Sequence, residues 1–141
     1  MKILIPTDGS AYAENAARVA ARIAMEHDYH LILLHVVDDK GFTRKTWRKE
    51  GAENILQGLR DVLLQMGCEE GRIETTVVGG NAPEMIVEVA KQFNVDRIVM
   101  GTQGKNGIKK LVGTVTEKVL QMSDVLVLVV PPGYNSSQDS S

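Results

Sequence analysis

Two short segments of this sequence carry residue types suited to a phosphorylated ligand. The first is Gly101-Thr102-Gln103-Gly104-Lys105-Asn106-Gly107, followed at Gly113-Thr114 by the start of a helical pattern. Glycine lets backbone amides come close to phosphate oxygens because no Cβ stands between them. A helix beginning near Gly113-Thr114 adds unpaired N–H groups and the positive end of its dipole. The Thr114 hydroxyl can supply one more hydrogen bond and Lys105 a point charge. Together these suit a di- or triphosphate. The same residues also describe a glycine loop between a strand and a helix, with Thr114 only an N-cap, and spacing alone leaves both readings open.

The second segment is Pro6-Thr7-Asp8-Gly9-Ser10. Asp8 can accept hydrogen bonds from ribose hydroxyls or help hold a metal beside phosphates. It can equally accept from its own turn amides and so help cap the helix that follows. Several other chemistries are excluded. The chain has no GxxxxGK[ST], no GxGxxG after its first strand, no CxxC and no HExxH. His27, His30 and His35 show no metal-ligand spacing with cysteine, and His35 lies in an apolar run, as a core or strand-end histidine would. No nucleophile stands next to a base. The third strand ends in Val77-Val78-Gly79-Gly80, where a phosphate-receiving domain of similar fold would need an acceptor Asp. Cys68 sits beside Glu69 and Glu70, and neighbouring carboxylates do not favour a thiolate.

The elements that must position these segments follow from hydrophobic spacing. Ile3 to Ile5 is a short apolar run ending at Pro6, which reads as a strand buried on both faces. Ser10 offers an N-cap, and Ala13, Ala16, Ala17, Ala20 and Ala24 recur on one helical face. Leu31 to Val37 is a second strand. A long polar helix is expected from Phe42 or Thr43, with Ile55, Leu59, Val62 and Met66 marking its buried face, Leu56 and Leu63 beside them, and Gly67 as its stop. Ile73 to Val78 is a third strand. Pro83 opens a helix carrying Ile86, Val89, Ala90 and Phe93. Asp96 to Met100 is a fourth strand, Thr114 to Met122 a helix, and Val125 to Val130 a last strand stopped by Pro131 and Pro132. Apolar strands alternating with helices call for a parallel sheet covered on both faces, a doubly wound α/β fold. In such sheets ligands bind outside the carboxyl ends of the strands, where strand order reverses. That is where both glycine-bearing segments fall.

The 141 residues suit one domain, expected over 1–132, with a Ser- and Asn-rich tail at 133–141 expected to be disordered. Lys and Arg total 16 against 18 Asp and Glu, a net charge of −2. That balance argues against a nucleic-acid partner. The basic stretch Arg44, Lys45, Trp47, Arg48 and Lys49 then reads as a solvated helix face. One cysteine cannot form an internal disulfide, no apolar run approaches a membrane span, and no secretory signal is present. These point to the cytoplasm.

The quoted segments resemble the universal stress protein family. The matching stretches are Lys2 to Ser10 (KILIPTDGS), Leu33 to Val37 (LLHVV), Gly80 to Pro83 (GNAP) and Val99 to Lys105 (VMGTQGK). Gly113 to Leu120 (GTVTEKVL) and the VLVLVVPP that ends at Pro132 complete the set. The resemblance implies a five-stranded parallel sheet in the order 3-2-1-4-5 and a homodimer paired through the last strand, Val125–Val130. It also implies an adenine nucleotide ligand (ATP, ADP or AMP), with Mg²⁺ as a possible companion, and at most slow ATP hydrolysis. One branch of the family binds ATP through Gly, two residues, Gly, nine residues, Gly, then Ser or Thr. Here Gly101, Gly104, Gly113 and Thr114 match, with eight residues between Gly104 and Gly113. Carried over by position, Pro6, Thr7 and Asp8 border the adenosine and Val36 meets the adenine. Met100, Gly101, Thr102, Gly104 and Lys105 wrap ribose and phosphates. Gly113, Thr114 and Val115 hold phosphate. The alternative is a dimeric stress or scaffold protein that binds no nucleotide, since the family has such a branch.

Overall fold

β1 (Lys2–Pro6) sits at the centre of the molecule and buries Ile3, Leu4 and Ile5 completely. In the computed structural model, which describes residues 1–37, 45–102 and 113–134 (backbone alone at 45–50), β1 is flanked on both sides. The other strands are β2 (His30–Val37), β3 (Ile73–Gly79), β4 (Arg97–Gly101) and β5 (Leu126–Val130). All pair in parallel, in the order β3-β2-β1-β4-β5. The helices are α1 (Ala11–His27), α2 (Lys45–Gln65), α3 (Ala82–Gln92) and α4 (Thr114–Met122), with a 3-10 turn at Glu70–Arg72. The doubly wound fold expected from the hydrophobic spacing, and the 3-2-1-4-5 order that the resemblance implies, are the ones observed. The expected start of α2 near Phe42 or Thr43 lies outside the described residues, and the buried face of α2 runs through Ala52, Leu56, Leu59 and Leu63, with the expected Ile55, Val62 and Met66 only half-buried at its margins.

Because side chains alternate along a strand, each strand feeds two cores. Ile3, Ile5, Leu31, Leu33 and Val99 meet α1 and α2 through Ala16, Ala17, Ala20, Leu56, Leu59 and Leu63. Leu4, Ile32, Leu34, Ile98 and Met100 meet α3 and α4 through Ile86, Val89 and Val119. Burying each such aliphatic side chain contributes about 1.5–3 kcal/mol, so the central strands are the firmest part of the scaffold. The two edges differ. β3 turns Glu74 and Thr75 to solvent, and β5 exposes Leu126 and Leu128.

Helix ends follow local chemistry. Ser10 accepts from Ala13 N–H at 3.2 Å and caps α1. Gly67, at φ +108°, stops α2, and the Cys68 N–H returns to Leu63 O at 3.1 Å. Asn81 caps α3 with proline in the first turn, as expected of Pro83. Beyond β5, the Tyr134 N–H donates to Pro131 O and Asn15 Nδ2 of α1 donates to Tyr134 O, each at 3.0 Å. Contacts therefore extend to the first residues of the expected tail, and 135–141 lie outside the described residues. Cys68 is buried, which pushes its thiol above the ordinary value and keeps it protonated.

The buried face of α1 is entirely alanine, with Ala13, Ala16, Ala17, Ala20, Ala21 and Ala24. Such a face lets the helix lie close on the sheet, and Gly101 makes the approach closest. A Cβ at Gly101 would stand 2.9 Å from the backbone oxygen of Tyr12 in the first turn of α1. Gly101→Ala is therefore expected to lower stability by about 1–3 kcal/mol, because backbone must move to admit the methyl. Urea unfolding of the variant beside the wild type measures it.

Candidate functional site

The carboxyl end of the sheet opens between β1 and β4 for a backbone reason. In a parallel strand, successive N–H groups point to alternate neighbours. The Thr7 N–H goes to β2, donating to Leu34 O at 2.8 Å, while Lys2 O accepts from Asp96 N–H just before β4. Residues of even number in β1 therefore face β4, and one of these is Pro6, which has no N–H to give. The register of β1 with β4 covers Ile3↔Arg97 and Leu4↔Ile98, whereas β1 stays with β2 as far as Pro6↔Leu34. The two central strands part at the point where strand order reverses.

On the β1 side, side chains of the turn from Thr7 to Ser10 accept from two of its amides. Thr7 Oγ1 accepts from Gly9 N–H at 3.1 Å, and Asp8 Oδ1 accepts from Ser10 N–H at 2.9 Å. Gly9 takes φ +84°, which favours glycine. Asp8 thus performs the turn role weighed for it in the sequence, with its carboxylate at the mouth of the opening. His35 of β2 brings Nδ1 to 2.7 Å from Thr7 O, so it is a satisfied strand-end histidine.

On the β4 side, Met100 is buried in the core under α3 and α4, and Gly101 ends the strand. Thr102 follows. Its N–H donates to Val130 O at 3.2 Å, and its own carbonyl accepts from Gly113 N–H. Thr116 Oγ1, buried, donates to Gly101 O at 2.8 Å. These bonds hang the first turn of α4 directly on the end of β4. α1 and α3 begin on Ser10 and Asn81 side chains, but α4 begins on Gly113, which has no side chain to cap it. The N–H groups of Thr114, Val115 and Thr116 precede the first intrahelical bond, Glu117 N–H to Gly113 O, and so have no partner within the helix. With the helix dipole behind them they form an anion-accepting surface. Thr114 and Val115 are exposed there.

Thr102 adds an unmet need. It is only 8% exposed, and its Oγ1 is buried with no hydrogen-bond partner among the described residues. A buried hydroxyl left alone costs roughly 1–3 kcal/mol, so a polar ligand atom beside it would be stabilised. The fold thus gathers Pro6, Thr7, Asp8, Val36, Gly101, Thr102, Gly113, Thr114 and Val115 at one end of the sheet. Gly104 and Lys105 lie outside the described residues. Sequence reasoning missed Thr116 and the His35–Thr7 contact. The signal available for Thr116 was a hydroxyl one helical turn from the buried Val119, on an otherwise apolar stripe.

The opposite end of the sheet carries side-chain contacts of its own, although the buried Arg97 Nε has no hydrogen-bond partner among the described residues. Lys2 N–H donates to Asp96 Oδ2 at 2.8 Å, Lys2 Nζ to Phe93 O at 3.1 Å, and the Arg97 guanidinium lies 5.8 Å from the centre of the Tyr29 ring. Among the described residues no group of three or more His, Cys, Asp or Glu gathers as a metal site. No described helix is long and apolar enough to cross a membrane.

Comparison with known proteins agrees with this architecture. A model described as the universal stress protein family matches residues 1–131. Universal stress protein MJ0531 of Methanocaldococcus jannaschii is 35% identical over 140 residues, covering 92% of this chain and 81% of its own length. The solved structure of the hypothetical protein MJ0577 superposes with a TM-score of 0.83 at 33% identity, covering 95% of this chain and 97% of that one. A universal stress protein in complex with cAMP superposes with a TM-score of 0.75 at 25% identity, covering 92% of this chain and 96% of that one.

Thr116→Val keeps the shape of the side chain but removes the bond that ties α4 to Gly101 O. It is expected to cost about 1–3 kcal/mol, the penalty for an unmet buried acceptor. The loss is read as a lower denaturation midpoint, with faster amide exchange in the first turn of α4 than in α3.

Proposed function

This chain belongs to the universal stress protein family, and on that footing we propose that it binds an adenine nucleotide in the opening between β1, β4 and α4. ATP, ADP and AMP are all candidates. The role is regulation or protection under stress in the cytoplasm, rather than turnover of a substrate. The observation that carries this reading is the uncapped first turn of α4, suspended on Thr102 and Gly101 beside the parted strands. The unpartnered Thr102 hydroxyl and the relative solved with cAMP support it.

In this proposal Pro6, Thr7 and Asp8 border the adenosine, with the Asp8 carboxylate toward the ribose. Val36 meets the adenine. Gly101 and Thr102 follow ribose and phosphates, joined by the backbone of Met100, whose side chain lies in the core. Gly104 and Lys105 complete the pattern in the sequence. Gly113, Thr114 and Val115 give amides, and Thr114 its hydroxyl, to phosphate. Mg²⁺ would be held mainly by phosphate oxygens with at most a carboxylate such as Asp8, the usual arrangement for that ion. The sequence offers no nucleophile beside a general base, so any ATP hydrolysis is expected to be slow.

Calorimetry with ATP, ADP and AMP in Mg²⁺, on protein stripped by unfolding and refolding, is expected to show micromolar binding. Gly113→Leu, which puts a side chain where phosphate would approach, is expected to abolish it. Unchanged affinity in that variant would rule out the site. No binding by the wild type to any of the three would favour the reading without nucleotide.

Self-association through β5 belongs to the same proposal. β5 ends the sheet, so one side of it has no partner strand among the described residues, and Leu126 is 73% exposed on a strand made only of Leu and Val. A second copy paired there would cover an edge that otherwise invites aggregation. Sedimentation should give a dimer for the wild type and a monomer for Leu126→Asp.

A further inference from the structure

We propose that His35 is a positioning residue that stops the β1–β2 ladder one rung early and so keeps the Val36 N–H open to the ligand. The proposal rests on the nucleotide reading above, in which Val36 borders the adenine.

The ladder itself supplies the argument. β1 and β2 pair in register from Lys2↔His30 to Pro6↔Leu34, and Thr7 N–H then donates to Leu34 O at 2.8 Å. In a parallel pair the next rung runs back the other way, from the N–H two residues on to the carbonyl of the residue that has just donated. Here that is Val36 N–H to Thr7 O. The rung is not made among the described residues, and Thr7 O instead faces His35 Nδ1 at 2.7 Å. A carbonyl can only accept, so Nδ1 carries the proton and donates. The imidazole thus meets the acceptor need that would otherwise draw Val36 onto β1.

Two consequences follow. The chain is free to leave β2 at Thr7 and enter the Asp8–Ser10 turn, where its next amides are met by Thr7 and Asp8 side chains. Val36 shares the orientation of Leu34, whose carbonyl faces β1, so its N–H and C=O point into the space that β1 has left. A flat base lying there could pair with that backbone edge. On the other side β2 stays closed, since Val36↔Val78 and Val37↔Gly79 remain in register and Gly80 N–H donates to Val37 O at 2.9 Å. The opening is therefore confined to the β1 side.

The test compares His35→Leu, His35→Asn and His35→Gln with the wild type. Asn places an amide N–H where Nδ1 stood, whereas Gln places it nearer Nε2. Affinity for ATP with Mg²⁺ is measured by calorimetry, and exchange of the Val36 amide by NMR on protein free of nucleotide. Leu34, inside the ladder, serves as the internal standard, and thermal unfolding reports whether each variant folds. The wild type is expected to exchange Val36 much faster than Leu34. His35→Leu and His35→Gln should protect Val36 and bind ATP about tenfold more weakly, the scale of one hydrogen bond. His35→Asn should restore both readouts. Wild-type affinity in a folded His35→Leu protein overturns the proposal, as does unchanged Val36 exchange. A wild type that binds no nucleotide sinks the binding reading instead. The ladder stop is then judged on Val36 exchange alone, and no change in the leucine variant overturns it.

Discussion

Pro6 occupies the residue of β1 whose N–H would next have faced β4, and much of the carboxyl end is arranged around that missing donor. The doubly wound topology places β1 between two strands that leave in opposite directions. Ladder bonds alone would keep β1 and β4 together to their ends. Without the Pro6 N–H their registered pairing is confined to Ile3↔Arg97 and Leu4↔Ile98, and the strands separate where the connections also diverge. β1 then depends on β2 for its last support, which gives the Thr7–Leu34 rung and the His35 contact their weight.

The two sides of this opening handle their polar groups differently. In the Thr7–Ser10 turn, three side-chain oxygens in succession accept from backbone amides. The β4–α4 side leaves groups over: a helix start with no side-chain cap and a buried Thr102 hydroxyl with no partner among the described residues. Buried or converging polar groups that the chain does not satisfy are where a ligand has most to gain. At the amino end of the sheet Lys2 joins Asp96 and Phe93, and Arg97 lies over Tyr29, with the buried Arg97 Nε left without a hydrogen-bond partner among the described residues.

The same few bonds also join the opening to the edge of the sheet. Thr102 reaches β5 through Val130 O and α4 through Gly113 N–H, while Thr116 fastens α4 to Gly101. Gly101 is pressed from the other face by the first turn of α1, so the end of β4 is fixed from three directions. An opening built this way is rigid at its floor. The outer edge of β5, with Leu126 and Leu128 exposed, is one short strand away from it.

Most of the architecture was legible in the order of residues, because the signals that make helices and strands act over a few positions. The alanine face of α1, the apolar runs of β1, β2 and β4, the Ser10 cap and the Gly67 stop are local facts, and each took the role its spacing implied. The glycine-rich character of the segment from Gly101 to Gly107 was likewise local. Tertiary structure alone decided which polar groups would be satisfied and which left over. His35 lies 28 residues from Thr7 and Thr116 lies 15 from Gly101, yet each pair is in hydrogen-bond contact. Whether Asp8 would face its own turn, whether Thr102 would lack a partner and whether β5 would show one side to water depended on strands brought together from distant parts of the chain. A hydrogen bond forms only at a definite distance and angle, and only the folded sheet sets these for groups so far apart in sequence.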